Sequence, residues 1–214
     1  MTHSNQALND LFQKIMERDV PGRYLLRLGM GEEELDTDES FSRTGRVNAM
    51  LERRLRGLGE VERLAKSLAI PGADVTAYTC ETAGHFWLLH VLSRWEKFRA
   101  QCEQIRRSPP NPEAAVTCVR DLFPFIGFFS NVPSGEVFPG EAEYGRDMAR
   151  AESCFRHLRT LFQELEEARP FEMLRGQADR VNYLMTKQSK IVAMTCTHAA
   201  LKRKARLGGT CLRG

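Results

Sequence analysis

Two short stretches of this sequence gather hydroxyl, amide and imidazole side chains. The first is Thr2-His3-Ser4-Asn5, and the second is Thr195-Cys196-Thr197-His198. Each comes before residues that favour a helix, so side-chain donors and free backbone N–H groups meet at a strand-to-helix corner, a geometry that suits an anionic partner. Lys202 and Arg203 follow the second stretch and add positive charge. A thiol nucleophile is the competing chemistry, since Cys196 stands next-but-one to His198. Such a spacing puts both on one face only if the strand persists past Thr197, and no carboxylate lies nearby in sequence to orient the imidazole. Binding is therefore favoured over nucleophilic catalysis.

Phosphoryl-transfer chemistry needs a loop of the form G-x-x-x-x-G-K-[ST] to cradle a triphosphate, and acidic residues at a strand end to hold Mg²⁺. Neither pattern occurs in the sequence. The chain alone is expected not to hydrolyse ATP and to have no catalytic, cofactor-binding or metal-binding residues of its own.

The corners must be held by strands and helices. Ile191 to Met194 reads as a buried strand, Thr195 to His198 as the turn at its carboxyl end, and Ala199-Ala200-Leu201-Lys202 as the opening of a helix. At the other end, Ser4 or Asn5 can cap a helix whose apolar stripe is Leu8, Leu11, Phe12, Ile15 and Met16. Pro21-Gly22 stops it, and Tyr24-Leu-Leu-Arg-Leu28 starts another strand. Residues 2 to 28 thus read as a βαβ fragment whose first strand is nearly absent, so the chain is expected to begin partway through a domain. The two corners, alike in composition, should lie side by side.

The strings THSNQALN (2 to 9), RYLLRLGMGEEEL (23 to 35), FSRTGRVNAML (41 to 51), YTCETAGHF (78 to 86), CFRHLRTLF (154 to 162) and KIVAMTCTHAALKR (190 to 203) resemble the Aquarius family of intron-binding spliceosomal helicases. That family lies within the superfamily 1 RNA helicases, and the resemblance is collinear from residue 2 to about residue 203. It implies an incomplete RecA-like (P-loop NTPase) first helicase domain, with the first stretch at motif Ia and the last at a later RNA-contacting motif. By motif position, Ser4, Asn5, Thr195, Thr197 and His198 are the RNA-contact candidates, joined by Lys202 and Arg203. The implied partners are single-stranded RNA of the pre-mRNA intron and other spliceosomal proteins, and the implied location is the nucleus. In the complete family protein ATP and Mg²⁺ are the cofactors, held by motifs before residue 2 and after residue 203. The basic, Gly-rich tail from Lys204 departs from the family pattern.

Between the corners lies a long helical region. Six acids sit among Gly, Thr and Ser from Gly29 to Ser42, read as a solvated loop that caps the next helix through Ser40 or Ser42 rather than as a metal or basic-partner site. Gly29-Met-Gly31 reads as a strand-end turn rather than a phosphate loop. Three apolar stripes follow: Val47, Leu51, Leu55, Leu58, Val61, Ala65, Leu68, ended by Pro71-Gly72; Leu88, Val91, Trp95, Phe98, Cys102, Ile105; and Ala151, Cys154, Phe155, Leu158, Leu161, Phe162, Leu165, Ala168, with Pro170 beyond. Such stripes predict an antiparallel bundle. Leu122-Phe-Pro-Phe-Ile-Gly-Phe-Phe129 has no interleaved basic residue and reads as a plug packed across that bundle, not as a base-stacking platform. Residues 130 to 147 read as loop, and Phe171 to Lys187 as a mixed helix.

The architecture expected is α/β with a large all-α insertion, predominantly helical overall. The RecA-like part occupies 1–30, the acidic loop 31–42, the helical insertion 43–186, the returning strand and RNA-contact motif 187–203, and the divergent tail 204–214. The rival reading makes the helical insertion the functional part, a spliceosomal protein-interaction module without motor activity.

Composition sets the outer bounds. The chain has 214 residues, 42% hydrophobic and 28% charged, ordinary for a globular protein. No apolar run is long enough to span a bilayer and no signal-peptide pattern opens the sequence, so no membrane partner and an intracellular location are expected. Cys80, Cys102, Cys118, Cys154, Cys196 and Cys211 form no C-x-x-C pair and read as reduced thiols. A formal net charge of +3 does not by itself establish nucleic-acid binding.

Overall fold

A strand of three residues pairs in parallel with another more than a hundred residues away, and this long-range pairing defines the first of two compact units. The computed structural model describes residues 2–72, 77–130 and 136–201. The chain divides into Met1–Glu52 with Pro170–Gly214, and Arg53–Arg169. It is predominantly helical, with one two-stranded parallel sheet among the described residues. No described helix is long and apolar enough to cross a membrane.

In the first unit, β1 (Leu25–Arg27) and β2 (Ile191–Ala193) pair Leu25 with Ile191, Leu26 with Val192 and Arg27 with Ala193. The ladder extends at both ends, through Lys190 N–H to Tyr24 O at 2.9 Å and Leu28 N–H to Ala193 O at 2.8 Å. β1 is shorter than the span from Tyr24 predicts, because residues 22–24 close a 3-10 turn. α1 (Asn5–Met16) begins at Ser4, whose hydroxyl accepts the Ala7 N–H. Its Leu8 and Phe12 join Leu25, Leu35, Phe41 and Ala193 in one buried cluster. Full burial of such side chains contributes about 1.5–3 kcal/mol each. Leu11, expected on the stripe, is 46% exposed.

The acidic segment is not simply solvated. Leu35 and Phe41 anchor it in the core, with Phe41 edge-on to Phe12 at 5.2 Å between ring centres. Glu32 accepts from Phe41 N–H at 2.7 Å and from the Ser40 hydroxyl at 3.0 Å, and Arg46 pairs with Glu39 at 3.1 Å. The segment thus sets the Glu32 carboxylate on a backbone donor while two apolar groups turn inward. Ser42 then caps α2 (Arg43–Ser67) by accepting Gly45 N–H at 3.0 Å.

α2 ends before Pro71-Gly72. Ala69 takes a left-handed φ of 50°, and Ile70 N–H reaches back to Ala65 O at 3.2 Å, so the helix closes on a reversed turn of its own. On its stripe Val47, Leu58, Val61 and Ala65 are buried, whereas Leu55 is exposed, and Leu64, outside the stripe, is buried as well.

The second unit packs the rest of α2 with helices on either side of a π-turn. α3 (Cys80–Phe86) starts at a reciprocal cap between Thr79 and Thr82, much earlier than the stripe from Leu88 suggests. It runs through a π-helical turn (Trp87–Leu92) into α4 (Ser93–Arg107). A π-turn carries extra residues per turn, so the buried face steps from Phe86 to Val91 and Leu88 rotates outward to 59% exposure. Trp95 stacks on Phe155 at 4.3 Å between ring centres, and Trp87 on the same ring at 5.4 Å.

Between α4 and α7 (Tyr144–Met173) come α5 (Ala114–Leu122) and the single turn α6 (Ile126–Phe129). Phe123, Phe125 and Phe128 are buried, as a packed plug requires, and Arg63 lies 3.7 Å over the Phe128 ring. Arg120 holds residues 140–147 in place: it donates to Gly140 O and Glu141 O at 2.8 Å and pairs with the fully buried Asp147 at 2.5 Å. α7 runs through Pro170 instead of stopping before it. Proline costs the helix a single N–H bond near its end, and Leu174 N–H still reaches Pro170 O at 3.0 Å. The mixed helix is consequently broken at 174–176, and α8 (Gln177–Tyr183) continues into a second π-turn, Leu184–Gln188. None of Cys80, Cys102, Cys118, Cys154 and Cys196 is in a disulfide; Cys211 lies outside the described residues.

Candidate nucleic-acid interface

The two corners meet. Thr2 forms an isolated parallel bridge with Thr195, and Cys196 N–H donates to Thr2 O at 2.8 Å. Beyond the bridge both segments turn directly into helix, α1 on one side and a helical segment at 196–201 on the other. Ser4 is the cap of the first. In the second the capping hydroxyl is Thr195, which accepts His198 N–H at 3.3 Å, so the Thr197 side chain is left exposed. Thr2 Oγ1 donates to Ser4 O at 2.8 Å and fixes the first turn. Ser4, Asn5 and Thr197 face solvent, while Thr195 and His198 are half-buried. Lys202 and Arg203 lie outside the described residues.

Behind the first corner sits a side chain that belongs to neither donor-rich string. Arg27, on β1, is 1% exposed. Its Nε donates to Asn9 Oδ1 at 3.0 Å, Nη2 to Asn5 Oδ1 at 3.1 Å, and Nη1 to Leu28 O. Asn9, itself buried, passes the chain of bonds on by donating from Nδ2 to Gly31 O at 2.7 Å. Asn5 is thus both the exposed first residue of α1 and an acceptor for a buried cation. Burial lowers the Arg27 pKa from its ordinary value, against the pull of Glu32 and Glu34 in the other direction. Its one trace in the sequence is a charge inside the otherwise apolar run Leu25-Leu26-Arg27-Leu28, since an arginine is seldom buried unless paired.

Gly31 has to be glycine for this packing. A Cβ there would fall 2.7 Å from Asn5 Cγ and 2.9 Å from Arg27 Nη2. At Gly29 the backbone demands it, with φ at 104°. Beside these glycines opens a cavity of about 480 Å³ that Arg27, Gly29, Ser42, Arg43, Thr44 and His198 help to line. No group of three or more His, Cys, Asp or Glu among the described residues is arranged to hold a metal ion.

Sequence comparison gives this arrangement its context. No family model matches the chain. The chain is 52% identical over 203 residues to RNA helicase aquarius of Mus musculus, covering 95% of this chain and 13% of that protein. It is 26% identical over 200 residues to pre-mRNA-splicing factor cwf11 of Schizosaccharomyces pombe, covering 92% of this chain and 14% of that protein. The resemblance read from the short strings therefore extends over nearly the whole chain, which spans only about an eighth of its relatives' length.

Proposed function

We propose that this chain, similar over 95% of its length to a segment of RNA helicase aquarius, is the RNA-gripping part of a splicing helicase. The reading treats the first unit as an incomplete RecA-like domain carrying the paired corners, and the helical unit as its insertion. One observation carries it: the Thr2–Thr195 bridge sets two hydroxyl-rich helix starts side by side, with Ser4, Asn5 and Thr197 open to solvent. Hydroxyls and helix N-termini hold phosphate oxygens without reading bases, which is what a motor that moves along single-stranded RNA requires. Lys202 and Arg203, which follow the second corner in sequence, carry positive charge. ATP and Mg²⁺ would be held elsewhere in a full-length protein, and the place of action would be the nucleus, on pre-mRNA introns.

Ser4→Asp with Thr197→Asp tests this without disturbing the fold. Aspartate caps a helix as well as serine and favours its first turn, but two carboxylates repel phosphate. Titration of a fluorescent single-stranded RNA should show wild-type binding that weakens steeply with salt, and near-complete loss in the double variant at unchanged helicity. Unchanged RNA affinity in that variant would overturn the reading.

The rival role, docking of a spliceosomal protein by the helical unit, draws on a different observation. An apolar groove of about 470 Å³ beside the π-turn is lined by Trp87, Leu88, Leu92 and Phe162, with Leu89 exposed nearby. It concerns another surface and can hold together with RNA binding.

A further inference from the structure

The cavity beyond β1 contains a charge that its surroundings leave incompletely matched. Arg27 is buried, yet its three hydrogen bonds all end on neutral oxygens, those of Asn5, Asn9 and Leu28. A guanidinium carries five N–H groups, and the described bonds use three of them. Glu32 and Glu34 act on this charge through space, but its direct bonds among the described residues go to neutral groups, and an arriving anion offsets the remaining cost of burial.

The walls are built for one. Arg27 Nη1 and His198 Nδ1 each lie 3.6 Å from the point where a side chain on Gly29 would begin, so the glycine leaves open the space on which both nitrogens converge. Across the cavity stands the start of α2, a helix of 25 residues, presenting its cap Ser42 and first-turn residues Arg43 and Thr44. The positive end of that helix's dipole therefore lies at the cavity wall. Two acids also line the cavity and oppose an anion there: Glu32, whose Oε1 accepts from Phe41 N–H and the Ser40 hydroxyl and which keeps its charge, and Glu33, whose charge is screened by solvent. The cavity is larger than a phosphate group needs and reaches His198, which belongs to the second corner.

We infer that this cavity is a second phosphate site, taking a phosphodiester of the same RNA strand that the paired corners grip, with Arg27, Arg43 and the first turn of α2 as its donors. The inference rests on the RNA reading for the source of the phosphate, but not for the site itself. It also gives Asn5 a double role: its Oδ1 holds Arg27 in place for the cavity while the residue itself is exposed at the start of α1.

The test uses Arg43→Ala, at a half-buried position that no hydrogen bond or ion pair described above involves, with exposed Arg18→Ala as control. Against a fluorescein-labelled oligouridylate, Arg43→Ala should weaken binding roughly tenfold, the loss of one charge-assisted bond. The slope of log affinity against log salt should fall by about 0.7, one phosphate contact on a single strand, and Arg18→Ala should change neither. In parallel, inorganic phosphate should shift the Gly29 and Thr44 amide resonances of wild type and not of Arg43→Ala. If RNA binds but Arg43→Ala matches wild type and phosphate moves neither amide, the cavity site is overturned and the corner grip stands. If phosphate moves both amides while wild type binds no RNA, the site stands for a free phosphate ester and the RNA strand is overturned as its source.

Discussion

Asn9→Ala should loosen the first unit more than any exposed substitution in it. Asn9 joins α1 to the turn after β1 through two buried bonds, accepting from Arg27 Nε at 3.0 Å and donating to Gly31 O at 2.7 Å. Alanine removes both partners at once and leaves a charged N–H and a carbonyl buried without compensation. Each such group costs about 1–3 kcal/mol, more where charge is involved, so the sum is roughly 3–5 kcal/mol against a domain stability of about 5–15 kcal/mol. The amides of Arg27 and Leu28, bonded to Phe41 O and Ala193 O, report the loss directly by hydrogen exchange. Their exchange should accelerate by at least about two orders of magnitude, since each 1.4 kcal/mol is tenfold. Asn9→Asp, which restores an acceptor for Arg27 but sets a carboxylate against Gly31 O, should fall between. Acceleration of less than about threefold in Asn9→Ala would mean that water replaces both bonds and that Arg27 is not held as argued.

Gly31→Ala and Gly59→Ala should differ in sign. The first overpacks against Asn5 and Arg27 and should cost about 1–3 kcal/mol, while the second points into open space on α2 and should gain about 0.8–1 kcal/mol of helix propensity; thermal unfolding of both checks this. At Asp147 burial alone would raise the carboxyl pKa, but bonds from Arg120 and from the Glu143 N–H, with the charges of Arg120 and Arg146, bring it below its usual value. Its stabilisation is therefore complete above the unfolded carboxylate pKa of about 4 and is lost as pH falls through the lower folded value. Asp147→Asn should destabilise at neutral pH and flatten the acid limb of a stability–pH profile, and an unchanged acid limb would contradict the assignment. Burial and the neighbouring Cys118 push the Cys102 thiol up to about 12, so iodoacetamide at pH 8 should label Cys196 in the native protein and Cys102 only after unfolding; mass spectrometry of the peptides decides.

Much of the first unit was legible because its signals are local. Thr195 and Ser4 sit where strand gives way to helix, and the pairing of their corners followed from two short strings of one composition. The breaks in periodicity were harder to see. A π-turn at Trp87–Leu92 leaves no mark in residue spacing, since Leu88 and Leu89 fit an uninterrupted helix equally well, and only packing of Trp87 and Trp95 on Phe155 shows which face turns inward. Pro170 reads as a stop, yet one missing N–H near the end of a 30-residue helix is a small loss against the burial of Ala168 and Phe171. Arg27 was hidden for the opposite reason. Its partners Asn5 and Asn9 become neighbours only after α1 folds back over β1, so the strand's own sequence does not show what the charge bonds to.

Photocrosslinking tests the central claim most directly. RNA containing 4-thiouridine, irradiated with the full chain at low salt and digested, should leave adducts on peptides that contain residues 2–9 and 195–201, with both diminished in Ser4→Asp/Thr197→Asp. Adducts confined to peptides from residues 53–169, or to the basic tail alone, would contradict it.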